Sequence, residues 1–137
     1  MRQLVYISTS RAKVIDDALL ESILAASRRN NDAAGISGLL LAGGRRFLQA
    51  LEGPDDAVAQ TYARIKADPR HFAFVTLTDK PIEAPEFGSW SMAYTQGNDP
   101  RAARALRETV QRLTSTIPDR DVQALFTGFA ELHGKAA

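Results

Sequence analysis

The chain has 137 residues, with 17 Lys and Arg against 16 Asp and Glu, a formal charge of +1, two histidines and no cysteine. This balance gives no electrostatic case for binding nucleic acid or an anionic membrane. The missing thiols exclude disulfides and thiolate metal sites, and two histidines are too few for an ordinary zinc centre. The length suits one domain with a single core, and no apolar run approaches the roughly 20 residues of a spanning helix or forms a signal-type segment, so a soluble, cytoplasmic protein is expected.

Residues 4–8 alternate as a strand does, with Leu4, Tyr6 and Ser8 on one face. Asp16 or Asp17 can cap the helix that follows. There Leu20, Ile23, Leu24 and Ser27 recur at steps of three and four, and Asn30 and Asn31 carry the face one turn further, so Ser27 and at least one Asn should look inward. Residues 35–41 and 46–52 read as strands joined by Ala42-Gly43-Gly44-Arg45, a hairpin signal, and period two places Phe47, Gln49 and Leu51 together. Pro54 stands where a helix begins, with Asp55 and Asp56 suited to its first turn and Val58, Tyr62 and Ile65 as its buried stripe.

Residues 72–78 read as a fourth strand, 81–88 as a loop and 89–95 as a fifth strand. Residues 101–114 and 118–133 read as helices, with apolar stripes Leu106-Val110-Leu113 and Val122-Leu125-Phe126-Phe129-Leu132. The order β-α-β-β-α-β plus one strand predicts an α+β, ferredoxin-like mixed sheet with two helices on one face. The other face then needs a cover, and the C-terminal helix pair is the candidate.

Tyr6 and Gln49 stand out, because each is a polar side chain centred in an apolar run. A buried amide must find partners or cost about 1–3 kcal/mol. Taken singly, each notable residue has an ordinary reading. Tyr6 is a core aromatic, Gln49 an edge residue facing water, and Asn30 and Asn31 a helix end. Arg70 and His71 are a solvated loop pair, and Trp90 and Met92 are core.

Together and in order, these residues resemble the BLUF family of blue-light receptors that bind flavin. The likeness covers roughly residues 1–96. It rests on Leu-Val-Tyr-Ile-Ser near the start, Arg-Asn-Asn, Gly-Ile-Ser-Gly-Leu-Leu, Phe-Leu-Gln-Ala-Leu-Glu-Gly-Pro, Asp68-Pro69-Arg70-His71 and Trp90-Ser91-Met92. The resemblance implies a short-type, non-enzymatic receptor: a flavin-binding domain over 1–96 and a helical extension over 97–137 packed on the sheet. It implies FAD as cofactor, or FMN or riboflavin in its place. The implied binding set is Tyr6, Ser8, Ser27, Asn30, Asn31, Gln49, Ile65, Asp68, Arg70 and His71, and the implied photoactive set is Tyr6, Gln49, Trp90 and Met92. In that scheme Tyr6 gives up an electron in the light, its proton leaves through Gln49, and Gln49 ends rotated or tautomerised with a new hydrogen bond to the ring's C4 carbonyl. The implied partners are a separate downstream signalling protein and further copies of the chain. Two other readings keep the fold: an acylphosphatase-type hydrolase using Arg45 or Arg46 as an anion site, which lacks a Gly-rich phosphate cradle, and a ligand-binding regulatory module without photochemistry.

Overall fold

The structure is a computed structural model that describes residues 1–13, 15, 17–87, 90–94 and 100–133, with backbone only for 17, 24, 32, 90–94, 100, 102, 103 and 133. In chain order the elements are β1 (Arg2–Ser10), α1 (Asp17–Ala34), β2 (Ser37–Gly43), β3 (Arg46–Gly53), α2 (Asp55–Lys66), β4 (His71–Pro81), β5 (Trp90–Tyr94), α3 (Pro100–Thr114) and α4 (Arg120–His133). The sheet order is β4-β1-β3-β2-β5. The first four strands pair antiparallel, and β5 joins β2 in parallel, which makes the sheet mixed as expected. The ferredoxin-like order therefore holds, with β5 added at one edge.

Local chemistry explains most of the boundaries. Gly35 at φ +70 reverses the chain after α1 and returns the Ile36 N–H to the Asn31 carbonyl at 2.9 Å, so β2 starts later than residue 35. The β2–β3 hairpin turns on Gly44 at φ +60, a conformation that costs glycine nothing. Gly38 is required for another reason: a Cβ there would lie 1.9 Å from the Ala50 carbonyl oxygen of β3. α4 begins at Arg120 rather than 118, because the Asp119 carboxylate accepts the Asp121 and Val122 N–H groups at 2.9 and 3.3 Å and so caps the helix. β4 reaches Pro81 because β1 offers partners as far as Arg2. Proline is tolerated at that end. Asp16, one of the two capping candidates, lies outside the described residues, and Asp17 is the first helical residue.

Period two sorts the core into two layers. Leu4, Tyr6 and Leu51 pack with Val58 and Tyr62 of α2, and Leu40, Ala42 and Phe47 pack with Leu20 of α1. On the other face Val5, Leu39, Leu41, Leu48 and Ala50 pack with Leu106 and Val110 of α3 and Val122, Phe126 and Phe129 of α4. The C-terminal pair thus covers the central strands. β4 escapes it: Val75, paired with Ile7, is 53% exposed.

A buried carboxylate ties the loop before β5 to the centre of this sheet. Glu52, fully buried on β3, accepts the backbone N–H groups of Glu86 and Phe87 at 2.9 and 2.6 Å, the Ser37 hydroxyl at 3.1 Å and the Gln3 amide at 3.3 Å. Phe87 in turn stacks edge-on to Phe126 of α4 at 5.5 Å. Glu52→Ala should cost about 2–3 kcal/mol in urea unfolding, because donors it now satisfies would be left without an acceptor. A loss below about 0.5 kcal/mol would mean that water replaces the carboxylate freely.

Candidate functional site

α1 and α2 do not close on each other over the β1–β3 face; between them lies a cavity of about 450 Å³. That size falls within the roughly 300–1,000 Å³ usual for small-molecule sites. Its floor is Tyr6 and Gln49, directly opposed in the β1–β3 register, and the phenol donates a short hydrogen bond to Gln49 Oε1. Both side chains are buried, at 1% and 4% exposure. The pair therefore satisfies itself, at the point where two polar groups otherwise looked misplaced. Burial, reinforced by Tyr62 and Asp68, raises the Tyr6 phenol well above its ordinary pKa, so it stays neutral. The Tyr62 and Phe74 rings flank Tyr6 at 5.0 and 5.7 Å, and the Tyr62 hydroxyl meets Thr76 Oγ1 at 3.0 Å.

One sheet row carries this pair across all five strands. Thr76 pairs with Tyr6, Tyr6 with Gln49, Gln49 with Leu40, and Leu40 with Met92. Trp90 pairs with Gly38, two positions along. The side chains of Trp90 and Met92 lie outside the described residues, so their expected part is located by register alone.

The helices supply the walls. Ser27, Asn30 and Asn31 line the cavity from α1 and Ile65 lines it from α2, as the periodicity required. The loop after α2 adds Asp68 and Arg70 to the lining, and the first residue of β4 adds His71. Arg70 binds both Asp68 carboxylate oxygens and reaches Ser22 Oγ on α1 at 2.9 Å, which latches that loop across the helices. Burial disfavours ionised Asp68, but hydrogen bonds from the Arg70 side chain and backbone outweigh it and hold the carboxyl below its usual range. Desolvation lowers the His71 pKa, against the pull of Asp68, so the ring is neutral at pH 7.

Ser8 departs from the expected set. It shares the Tyr6 face but does not line the cavity, and its hydroxyl shares a hydrogen bond of 2.9 Å with Nδ1 of the lining residue His71. Seven lining residues were not singled out for the site: Ile23, Ala26, Leu40, Phe47, Thr61, Arg64 and Ala67. Phe47 was legible from its parity with Gln49, and Thr61 from its place between Val58 and Ile65 on one face of α2. Arg45 and Arg46 do not line the cavity, and Arg45 gives a guanidinium N–H to the Ser10 carbonyl at 3.0 Å.

Two buried polar atoms in this lining have no hydrogen-bond partner among the described residues: Asn31 Nδ2 and Thr61 Oγ1. Unpaired buried donors are costly. They therefore call for a ligand with acceptor atoms, while Ile23, Leu40, Phe47 and Ile65 offer it apolar walls. A flavin ring fits this donor set: it is planar and apolar on its faces, and its pyrimidine edge carries carbonyl acceptors and an N–H donor that a carboxamide can match.

Comparison with known proteins gives the same direction. A family model for BLUF, described as sensors of blue light using FAD, matches residues 1–93. The photoactivated adenylate cyclase subunit alpha-like protein FB of Euglena gracilis is 33% identical over 94 residues, 67% of this chain and 9% of that protein. The blue light- and temperature-regulated antirepressor BluF of Escherichia coli (strain K12) is 36% identical over 73 residues, 53% of this chain and 18% of that protein. The chain thus spans about a tenth of the cyclase relative's length and under a fifth of the antirepressor's. Among solved structures, the dark state of the BLUF protein BlrB superposes with a TM-score of 0.69 at 35% identity and covers 94% of each chain. The ground state of BlsA gives 0.65 at 26% identity, over 96% of this chain and 87% of that one.

Proposed function

As this chain belongs to the BLUF family of flavin-binding blue-light sensors, we propose that it holds a flavin between α1 and α2 and turns light into a hydrogen-bond rearrangement at Gln49. The observation that carries this reading is the buried Tyr6–Gln49 hydrogen bond at the floor of a cavity with unpaired donors. Bound flavin supplies absorption in the blue and, when excited, a strong one-electron oxidant. Tyr6 is the electron donor of this site. Its raised pKa keeps the proton on the phenol until the electron leaves, and that proton then has an acceptor already in contact, Gln49 Oε1. Recombination then returns the electron and a proton to Tyr6, so the phenol is restored and Gln49 is left tautomerised or rotated. Either outcome can persist, because a tyrosine hydroxyl both donates and accepts and so can satisfy an amide in two orientations.

The remaining residues bind and orient. Asn31, with Asn30 and Ser27, meets the pyrimidine edge from α1, Ile65 packs on the ring from α2, and Asp68, Arg70 and His71 shut the end of the slot. Ser8 acts through His71, whose orientation it holds. FAD is the cofactor in this proposal, with FMN and riboflavin as substitutes sharing the ring. The output runs from Gln49 along its sheet row to β5, which carries Trp90 and Met92, and on to α3 and α4, which pack against the central strands. There a separate signalling protein, or a second copy of the chain, reads the change.

An absorption spectrum in the dark and after blue light tests the proposal. A flavin spectrum that shifts reversibly to the red supports it, whereas a colourless preparation that rejects added flavin overturns it. The binding role of Asn31 has its own test: Asn31→Ala should weaken riboflavin binding by about 1–3 kcal/mol, because the ring edge loses its matched carboxamide. An unchanged Kd in fluorescence titration would remove Asn31 from the ligand.

A further inference from the structure

Thr61 has no role in the scheme above, yet its surroundings assign it one. It lies on the cavity side of α2 and is 3% exposed, and its Oγ1 is without a hydrogen-bond partner among the described residues. A threonine inside a helix ordinarily returns its hydroxyl to the carbonyl three or four residues back. Thr114 does so to Val110 at 2.7 Å, and Thr127 does so to Gln123 at 3.2 Å. Thr61 has the same option within its own helix and leaves it unused, deep in the protein, where an unmade hydrogen bond is most costly. Its residue lines the same cavity as Asn31, which carries the other unpaired group, Nδ2.

We propose that Thr61 is a ligand-contacting residue whose hydroxyl hydrogen-bonds the heteroaromatic ring of the bound flavin, a contact that rests on the flavin reading of the cavity. The ring, rather than the sugar-alcohol chain, is assigned from depth. Thr61 neighbours Val58 and Tyr62, which are 0% and 8% exposed, and like the cavity-lining Tyr6 and Gln49 it is itself buried. The exposed Arg64, three residues on, marks the mouth through which a ribityl chain and any phosphate would leave. The ring's carbonyl oxygens and unsubstituted nitrogens are the acceptors that chemistry offers at that depth.

Thr61→Val and Thr61→Ser test this in the full chain. Valine matches threonine in shape and lacks only the hydroxyl. Stripped of flavin, the valine variant should melt at the parent temperature or higher, since it no longer buries an unpaired group. It should nonetheless bind both riboflavin and lumiflavin, the ring without its chain, about three- to tenfold more weakly, the loss of one hydrogen bond. The dark absorption maximum of its bound flavin should also move, because a hydrogen bond to the ring alters the transition energy. Serine, which keeps the hydroxyl, should restore affinity and spectrum. Thr61→Val binding both flavins as tightly as the parent, with an unmoved spectrum, overturns the proposal. Weakened riboflavin with unchanged lumiflavin also overturns it, by moving the contact to the ribityl chain. A ligand-free valine variant that melts lower while affinity stays unchanged would reduce Thr61 to a packing residue. A parent that takes up neither flavin overturns the reading of the cavity itself and this contact with it.

Discussion

Tyr6→Phe is expected to retain flavin and lose the long-lived red-shifted state entirely. The ring still packs between Tyr62 and Phe74, at 5.0 and 5.7 Å, so the cavity floor keeps its shape and affinity. What disappears is the hydroxyl that donates to Gln49 Oε1, and with it both the readily oxidised phenol and the proton that follows the electron. Gln49→Leu should reach the same end by the other route, since leucine preserves the volume but can neither receive the proton nor present a second hydrogen-bonding state. Light-minus-dark difference spectra of both variants and the parent decide the matter. A Tyr6→Phe variant that shifts and recovers like the parent would take the phenol out of the mechanism.

Phe126→Ala should cost about 3–5 kcal/mol of folding stability, the usual range for truncating a buried phenylalanine. Phe126 is fully buried and belongs to the cluster that joins α3 and α4 to Val5, Leu48 and Ala50 of the central strands. A domain of this size is stable by only about 5–15 kcal/mol, so the loss would be a large share of the whole. The same ring meets Phe87 at 5.5 Å, and Phe87 hangs from Glu52 in the segment that leads toward β5. Dark recovery in Phe126→Ala should therefore change along with stability. Urea unfolding supplies the first number and the decay of the red-shifted spectrum the second. A stability loss under about 1 kcal/mol would show that α4 rests on the sheet without packing into it.

Much of this site is legible in the residues alone because the relevant periodicities are local. Alternation groups Leu4, Tyr6 and Ser8 on one side of β1 and Phe47, Gln49 and Leu51 on one side of β3, and the helical step sets Ser27 and Asn31 inward. Those assignments depend on nothing distant. The periodicity of α2 sets Thr61 on the face of Val58 and Ile65, but a helical threonine has an ordinary partner in its own helix, and that this partner goes unused is visible only in the structure. Ser8 passed the parity test and still does not line the cavity; its hydroxyl is engaged with His71, a side chain from β4 that does.

The helices, strands and their apolar faces, together with the presence of polar groups where packing disfavours them, follow from patterns a few residues long. The pairing of Tyr6 with Gln49 across 43 residues, the row running on through Leu40 to Met92, and the burial of Glu52 beneath the loop before β5 do not. Each depends on strand order and register, which long-range hydrogen bonding and the two-sided core select together. Chemistry that needs two groups in contact is therefore named by the residues and located by the sheet.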